Sequence, residues 1–180
     1  IVGMRATGAI DPATQKPVTE ISPAELTRLA AADLLIYQRK RDGQCHFGLI
    51  TRDGSARIYS RKLEDKTSHF PLLVSALEEL ELPAKTLLVM ELLVDRNGKD
   101  DFRATGELCR AGVTRAREAE HRLPVRLMLF DVLYYNGKPV WTDRYDRRWA
   151  LLQSLTQVPK SSRITLPKVF HSYVSAMAIV

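Results

Sequence analysis

Cysteine is nearly absent from this chain, and what little there is excludes two classes at once. Cys45 and Cys109 form neither a disulfide framework nor the paired spacing of a zinc site. So few thiols suit a reducing compartment. Long apolar runs are missing too: none approaches the roughly 20 residues that span a bilayer. The first ten residues include Gly3, Arg5 and Gly8 and lack the continuous apolar core of a signal peptide. The expectation is therefore a cytoplasmic protein with no membrane partner, nucleoid-associated in a bacterium or archaeon and nuclear in a eukaryote. No repeat or low-complexity tract occurs. With 45% hydrophobic and 27% charged residues, the 180-residue chain has the make-up of an ordered domain able to bury a core.

What is abundant is positive charge. The formal net charge is +6, and the pI is about 9.5. Arginines cluster at Arg39/Arg41, Arg57/Arg61/Lys62, Arg110/Arg115/Arg117 and Arg144/Arg147/Arg148. A basic surplus attracts nucleotides and nucleic acids, although any single cluster can equally be a solvated face.

Residues 1–20, rich in Pro, Thr and Gly, read as a linker or lead-in, with one domain over 21–180. Ser22-Pro23-Ala24-Glu25 starts a helix that runs to about Ala32. Leu34 to Tyr37 is β-prone and leads to a tight turn at Asp42-Gly43. Asp53-Gly54, Asn97-Gly98 and Asn136-Gly137 mark three more turns, the last two after the strand-like runs Leu87 to Val94 and Val125 to Tyr135. Helices are expected at Phe70 to Leu82, Gly106 to Glu120 and Arg147 to Leu155. The fold class is α+β, with an antiparallel, meander-like sheet and flanking helices.

Four places carry chemistry. Lys40 stands before Arg41-Asp42-Gly43, where a turn can present an amine; a lysine nucleophile acts as the neutral amine, which nearby cations favour. Ser60-Arg61, followed by Lys62, ends the next hairpin. Glu91 lies inside the apolar run Leu87 to Val94, where a carboxylate is costly without a partner. Phe130-Asp131 lies on a strand that ends in the turn Asn136-Gly137; by default Phe130 is a core residue and Asp131 a satisfied structural acid.

In that order, Lys40-Arg41-Asp42-Gly43, Tyr59-Ser60-Arg61-Lys62-Leu63-Glu64-Asp65, Glu91 and Phe130-Asp131-Val132-Leu133 resemble the motifs of covalent nucleotidyltransferases, and most closely those of ATP-dependent DNA ligases. The resemblance runs from about Asp33 to Leu155. It implies an ATP-grasp-like adenylation domain that uses ATP and Mg²⁺ on nicked double-stranded DNA. It also implies site roles. Lys40 takes AMP from ATP, and Arg61, Glu91 and Phe130 hold the nucleotide. Glu91 also serves the metal, and Arg61, Lys62 and Arg41 contact nucleic acid. Phosphoryl chemistry depends on positioning and charge neutralisation, which arginines and a hard cation supply.

The departures are Cys45, where such ligases usually have an arginine, and Lys62, where asparagine is usual. A Glu-Gly strand with a following lysine, a paired-lysine strand and an oligonucleotide-binding-fold domain are not found by Val180. The expectation is a piece of a longer protein that carries that domain. An RNA ligase or capping-type enzyme is the alternative within the class. A non-catalytic nucleic-acid-binding module is the alternative outside it.

Overall fold

The computed structural model describes residues 22–32, 37–156 and 161–170. In chain order the elements begin with α1 (Pro23–Ala31), β1 (Tyr37–Gln38), β2 (Gln44–Ile50), β3 (Ala56–Ser60), α2 (Pro71–Glu78) and β4 (Thr86–Arg96). There follow β5 (Lys99–Asp100), α3 (Phe102–Arg110), α4 (Val113–Arg122), β6 (Val125–Tyr135), β7 (Lys138–Pro139), α5 (Tyr145–Leu155), β8 (Ile164–Thr165) and β9 (Val169–Phe170). They fall into two compact units, Ile1–Lys40 with Lys168–Val180, and Arg41–Pro167.

In the first unit α1 starts at Pro23 as expected, because proline's fixed φ suits a first helical turn. β1 pairs antiparallel with β9, Tyr37 opposite Phe170. The expected lead-in 1–20 and most of the strand Leu34 to Tyr37 lie outside the described residues.

The second unit is built on a sheet ordered β3-β2-β4-β6-β7, with β5 on β4 and β8 on β6. Three of the four X-Gly turns close hairpins. Asn97 and Gly98 have φ of 55° and 81°, and Asn136 and Gly137 of 50° and 75°. Two successive positive φ values match the right-handed twist of the flanking strands, and asparagine and glycine tolerate them. Asp42-Gly43 is different and corrects the expectation of a hairpin there: β1 pairs with β9, while β2 pairs with β3 and β4. Gly43 serves close approach instead. A Cβ on it would stand 2.5 Å from the Leu92 carbonyl oxygen and 2.8 Å from Glu91 Cγ.

β4 is the spine of the sheet. Leu88, Met90, Leu92 and Val94 point to one face and are fully buried, beside Ile50 and Ile58 from β2 and β3 and Leu127 and Leu129 from β6. Helices α2 and α3 cover this face, with Leu73, Leu77 and Leu108 buried. Gly48 leaves room there for Met90, whose Sδ would be 2.9 Å from a Cβ. His46 also faces inward at 1% exposure; its Nδ1 lies 2.9 Å from the Gln44 carbonyl, and its Nε2 has no hydrogen-bond partner.

The expected helix Gly106 to Glu120 is two helices. Asp101 caps the first by accepting from the Ala104 amide at 2.9 Å, and Gly112 begins the second after an extended Ala111. Buried Glu120 on α4 accepts from the Leu72 and Leu73 amides at 3.1 and 2.8 Å, satisfying the first turn of α2. Burial raises its carboxyl above the usual range, although both amides oppose that shift. The sheet is not purely antiparallel: β8 adds in parallel to β6, Ile164 beside Leu127.

Candidate active site

The face of β4 opposite the core carries Glu91, one of the candidate site residues. Side chains alternate along a strand, so Leu87, Val89 and Glu91 share this face. Pairing sets Cys45 of β2, Glu91 of β4 and Met128 of β6 in one rung. Phe47, Val89 and Asp131 form the next rung on the same face, and Leu49, Leu87 and Tyr134 the one after. Glu91 and Cys45 are half-buried.

Phe130 reaches this region through a bulge. Leu129 pairs with Met90 and Asp131 with Val89, which leaves Phe130 as the extra residue of β6. Bulges re-aim side chains beside sites, and this one sets Phe130 two residues, about 7 Å, along the strands from the Glu91 rung. The bulged stretch is locked from the helix side. Asp131 takes two hydrogen bonds from Arg148 at 2.8 and 2.9 Å, and the Tyr145 hydroxyl donates to the Phe130 carbonyl at 3.1 Å. Asp131 is thus the satisfied structural acid that its sequence context suggests.

Arg61 follows β3 and is exposed. It belongs to the same end of the sheet, because both its charge and that of Glu91 act on the Cys45 thiol. Burial and Glu91 push that thiol up, with Arg61 opposing, so Cys45 is held as a neutral thiol rather than a nucleophile. Lys62 is exposed next to Arg61.

Arg41 is engaged inside the fold. Its Nε lies 2.7 and 2.9 Å from the two carboxylate oxygens of Asp100, its Nη2 also pairs with Asp100, and Asp95 stands 3.5 Å away. The Asp42 amide donates to Asp100 at 2.8 Å. The β4–β5 hairpin therefore grips the segment that follows Lys40. Sequence reasoning expected Arg41 on nucleic acid and missed this grip, since nothing local links residues 58 and 59 positions apart. Lys40 is exposed and is the last residue before the second unit begins at Arg41.

A cleft of about 440 Å³ opens at the other end of this face, lined by Leu49, Thr51, Arg52, Lys85, Leu87 and Tyr134 among others. It contains no carboxylate and lies four residues along β4 from Glu91, apart from the candidate residues at the Glu91 end. No cluster of three or more His, Cys, Asp or Glu side chains poised for a metal occurs among the described residues. No helix among them is long and apolar enough to cross a membrane.

Residues 16–177 match the family model described as the ATP dependent DNA ligase domain. The chain belongs to the ATP-dependent DNA ligase domain family. Among curated relatives it is 27% identical over 179 residues to DNA ligase 1 of Methanosarcina mazei, covering 92% of this chain and 30% of that protein. It is 33% identical over 138 residues to a probable DNA ligase of Koribacter versatilis, covering 74% of this chain and 23% of the relative. The chain thus spans less than a third of the length of these ligases. Among solved structures, a mycobacterial DNA ligase D complexed with ATP and MES superposes with a TM-score of 0.62 at 23% identity, over 80% of this chain and 43% of that one. The ATP-dependent ligase of bacteriophage T7, solved with ATP, gives 0.50 at 16% identity, over 89% and 56%. These likenesses establish the α+β ligase fold expected from the motif order.

Proposed function

We propose that this chain is the adenylating part of an ATP-dependent DNA ligase and that Lys40 is its nucleophile. The Lys40 amine loses a proton and attacks the α-phosphorus of ATP. A P–N bond forms, the bond to the β-phosphate oxygen breaks, and pyrophosphate leaves. An oxygen of the 5′-phosphate at a nick then attacks the same phosphorus and releases the lysine. The 3′-hydroxyl across the nick finally attacks the 5′-phosphorus, the phosphodiester forms and AMP departs.

The observation that carries this reading is a family match that spans nearly the whole chain, together with the gathering of Cys45, Glu91 and Arg61 at one end of one sheet face. Glu91 is the half-buried carboxylate suited to the ribose and metal side of a nucleotide. Phe130 offers the aromatic surface for adenine, and Arg61 a fork for phosphate. Mg²⁺ fits the donor set as a cation held by Glu91 and otherwise by phosphate oxygens and water, since a single carboxylate with substrate phosphates is a normal magnesium environment. When bound it would neutralise phosphate charge. Arg61 and Lys62 are the nucleic-acid contacts we retain; Arg41 instead steadies the turn beside Lys40 through Asp100. We further propose that the parent protein supplies an oligonucleotide-binding-fold domain.

The test is incubation with α-labelled ATP and Mg²⁺, followed by denaturing electrophoresis and peptide mapping, on this chain and on its parent. Acid-labile label on Lys40 that pyrophosphate releases, and that Lys40→Ala abolishes, is the expected result. Label on the parent alone assigns the first step to the combined domains. Absence of label from both rejects the ligase reading and leaves a nucleic-acid-binding module.

A further inference from the structure

The loop after β3 is bound from within by Ser60. The Ser60 amide donates to the Glu64 carbonyl at 2.9 Å, and its own carbonyl accepts from the Leu63 amide at 2.8 Å. Its hydroxyl oxygen accepts from the Lys62 and Glu64 amides at 3.3 and 3.2 Å. The two carboxylates of the loop also have partners within the fold. Glu64 pairs with Lys66 at 3.1 Å, and Asp65 pairs with Arg57 at 3.5 Å and accepts from the Thr67 amide at 2.8 Å. Arg61, Lys62 and Leu63 are exposed and take no part in these ion pairs.

Leu63 is anomalous in two independent ways. It is 72% exposed, more than Phe102, Val113, Tyr134 or Trp141. Its φ is 63°, in the left-handed region that a leucine side chain disfavours and that glycine or asparagine fills easily. The other described non-glycine residues with positive φ are Glu81, Lys85, Asn97 and Asn136, all polar. Leu63 therefore contributes little to the core, and its backbone conformation works against the fold. Backbone outliers of this kind cluster at functional sites, where the surroundings over-determine them.

We propose that Leu63 is an apolar contact on a nucleic-acid strand, seated against a sugar or base edge beside phosphates held by Arg61 and Lys62. The proposal rests on the nucleic-acid reading above and adds to it the residue that touches the non-phosphate surface. Charge selects this partner. The loop offers two exposed cations beside its neutralised carboxylates, which suits a polyanion. An exposed leucine next to two cations suits the alternation of charged phosphate and apolar sugar along a strand.

The experiment is titration of a fluorescently labelled nicked duplex with the chain across a range of salt concentrations. Leu63→Asn keeps a residue at home in the left-handed region and removes the apolar surface. It should weaken binding about tenfold, the scale of one buried leucine, without changing the salt slope. Leu63→Met should bind within about twofold of the parent sequence, because it restores apolar surface. Arg61→Ala and Lys62→Ala should each reduce the salt slope by about one. Unchanged affinity in Leu63→Asn, while the cation variants lose slope, overturns this proposal and leaves the nucleic-acid reading intact. Equal losses in the methionine and asparagine variants also overturn it, because loop shape would then be the cause. If the unsubstituted chain fails to bind the duplex at all, both readings fall together.

Discussion

The two faces of β4 are made from alternate residues of one strand, yet they obey different rules. Toward α2 and α3 the strand presents Leu88, Met90, Leu92 and Val94, each fully buried. Toward the other side it presents Leu87, Val89 and Glu91, among which a half-buried carboxylate breaks the apolar series. Neighbouring strands continue the contrast: His46, Gly48 and Ile50 on the core face, Cys45, Phe47 and Leu49 on the other. The first face contributes stability through burial. The second retains a polar group that burial alone would penalise, in keeping with the nucleotide role proposed for Glu91.

Substitutions should separate the faces. The largest effect is expected on chemistry: Glu91→Ala should lower lysyl-AMP formation a hundredfold or more, the scale of losing a site group in phosphoryl transfer, and leave thermal unfolding nearly unchanged. Unfolding of this variant would assign Glu91 to the scaffold instead. Its neighbour Leu92 should behave in the opposite sense. Leu92→Ala removes a fully buried side chain at about 3 kcal/mol, visible as a lower denaturant midpoint, and the surviving folded fraction should still take label.

Gly43→Ala tests the contact between the turn and both residues. The added methyl meets the Leu92 carbonyl oxygen and Glu91 Cγ, so adenylation should fall more than stability. Equal losses in the two measurements would show that the turn acts only on packing.

The smallest effect concerns pH. Burial, with the nearby Lys66 charge, holds His46 below its ordinary 6.5, and His69 is lowered for the same two reasons. The unfolded chain therefore binds more protons between the folded value and 6.5. The stability this contributes is present above pH 6.5 and is lost as the pH falls through that window. Unfolding midpoints at pH 7.5 and 5.5 should differ for the unsubstituted chain and differ less for His46→Leu. An equal drop in both would move the effect to His69.

Much of the second unit was legible in the sequence for local reasons. Asn97-Gly98 and Asn136-Gly137 specify their turns because only a few residue types accept two positive φ values, and Val125 to Tyr135 is one unbroken strand. The helix over Gly106 to Glu120 was misjudged because Gly112 starts a new helix instead of interrupting an old one, and the capping role of Asp101 lay outside the window. For the candidate site, the order of motifs proposes Lys40, Arg61, Glu91 and Phe130, but not what positions them. The grip of Asp100 on Arg41 and of Arg148 on Asp131 arises from pairings that only the folded sheet creates. The two-residue strand Ile164–Thr165 is too short to carry a period, and its place beside β6 comes from tertiary contact.

The irregular pairing of β6 has a consequence for how this gene can change. The register shifts twice between β4 and β6, and the extra residues, Phe130 and Leu133, offset one another. Side-chain direction is a matter of odd or even, so the strand leaves phase at the first and returns at the second. Loss of a single codon at Phe130 would spare both the reading frame of the message and the parity of the sheet, because Leu129 and Asp131 already stand opposite consecutive residues, Met90 and Val89. The acid and the valine would keep their sides, and only the extra aromatic would be gone.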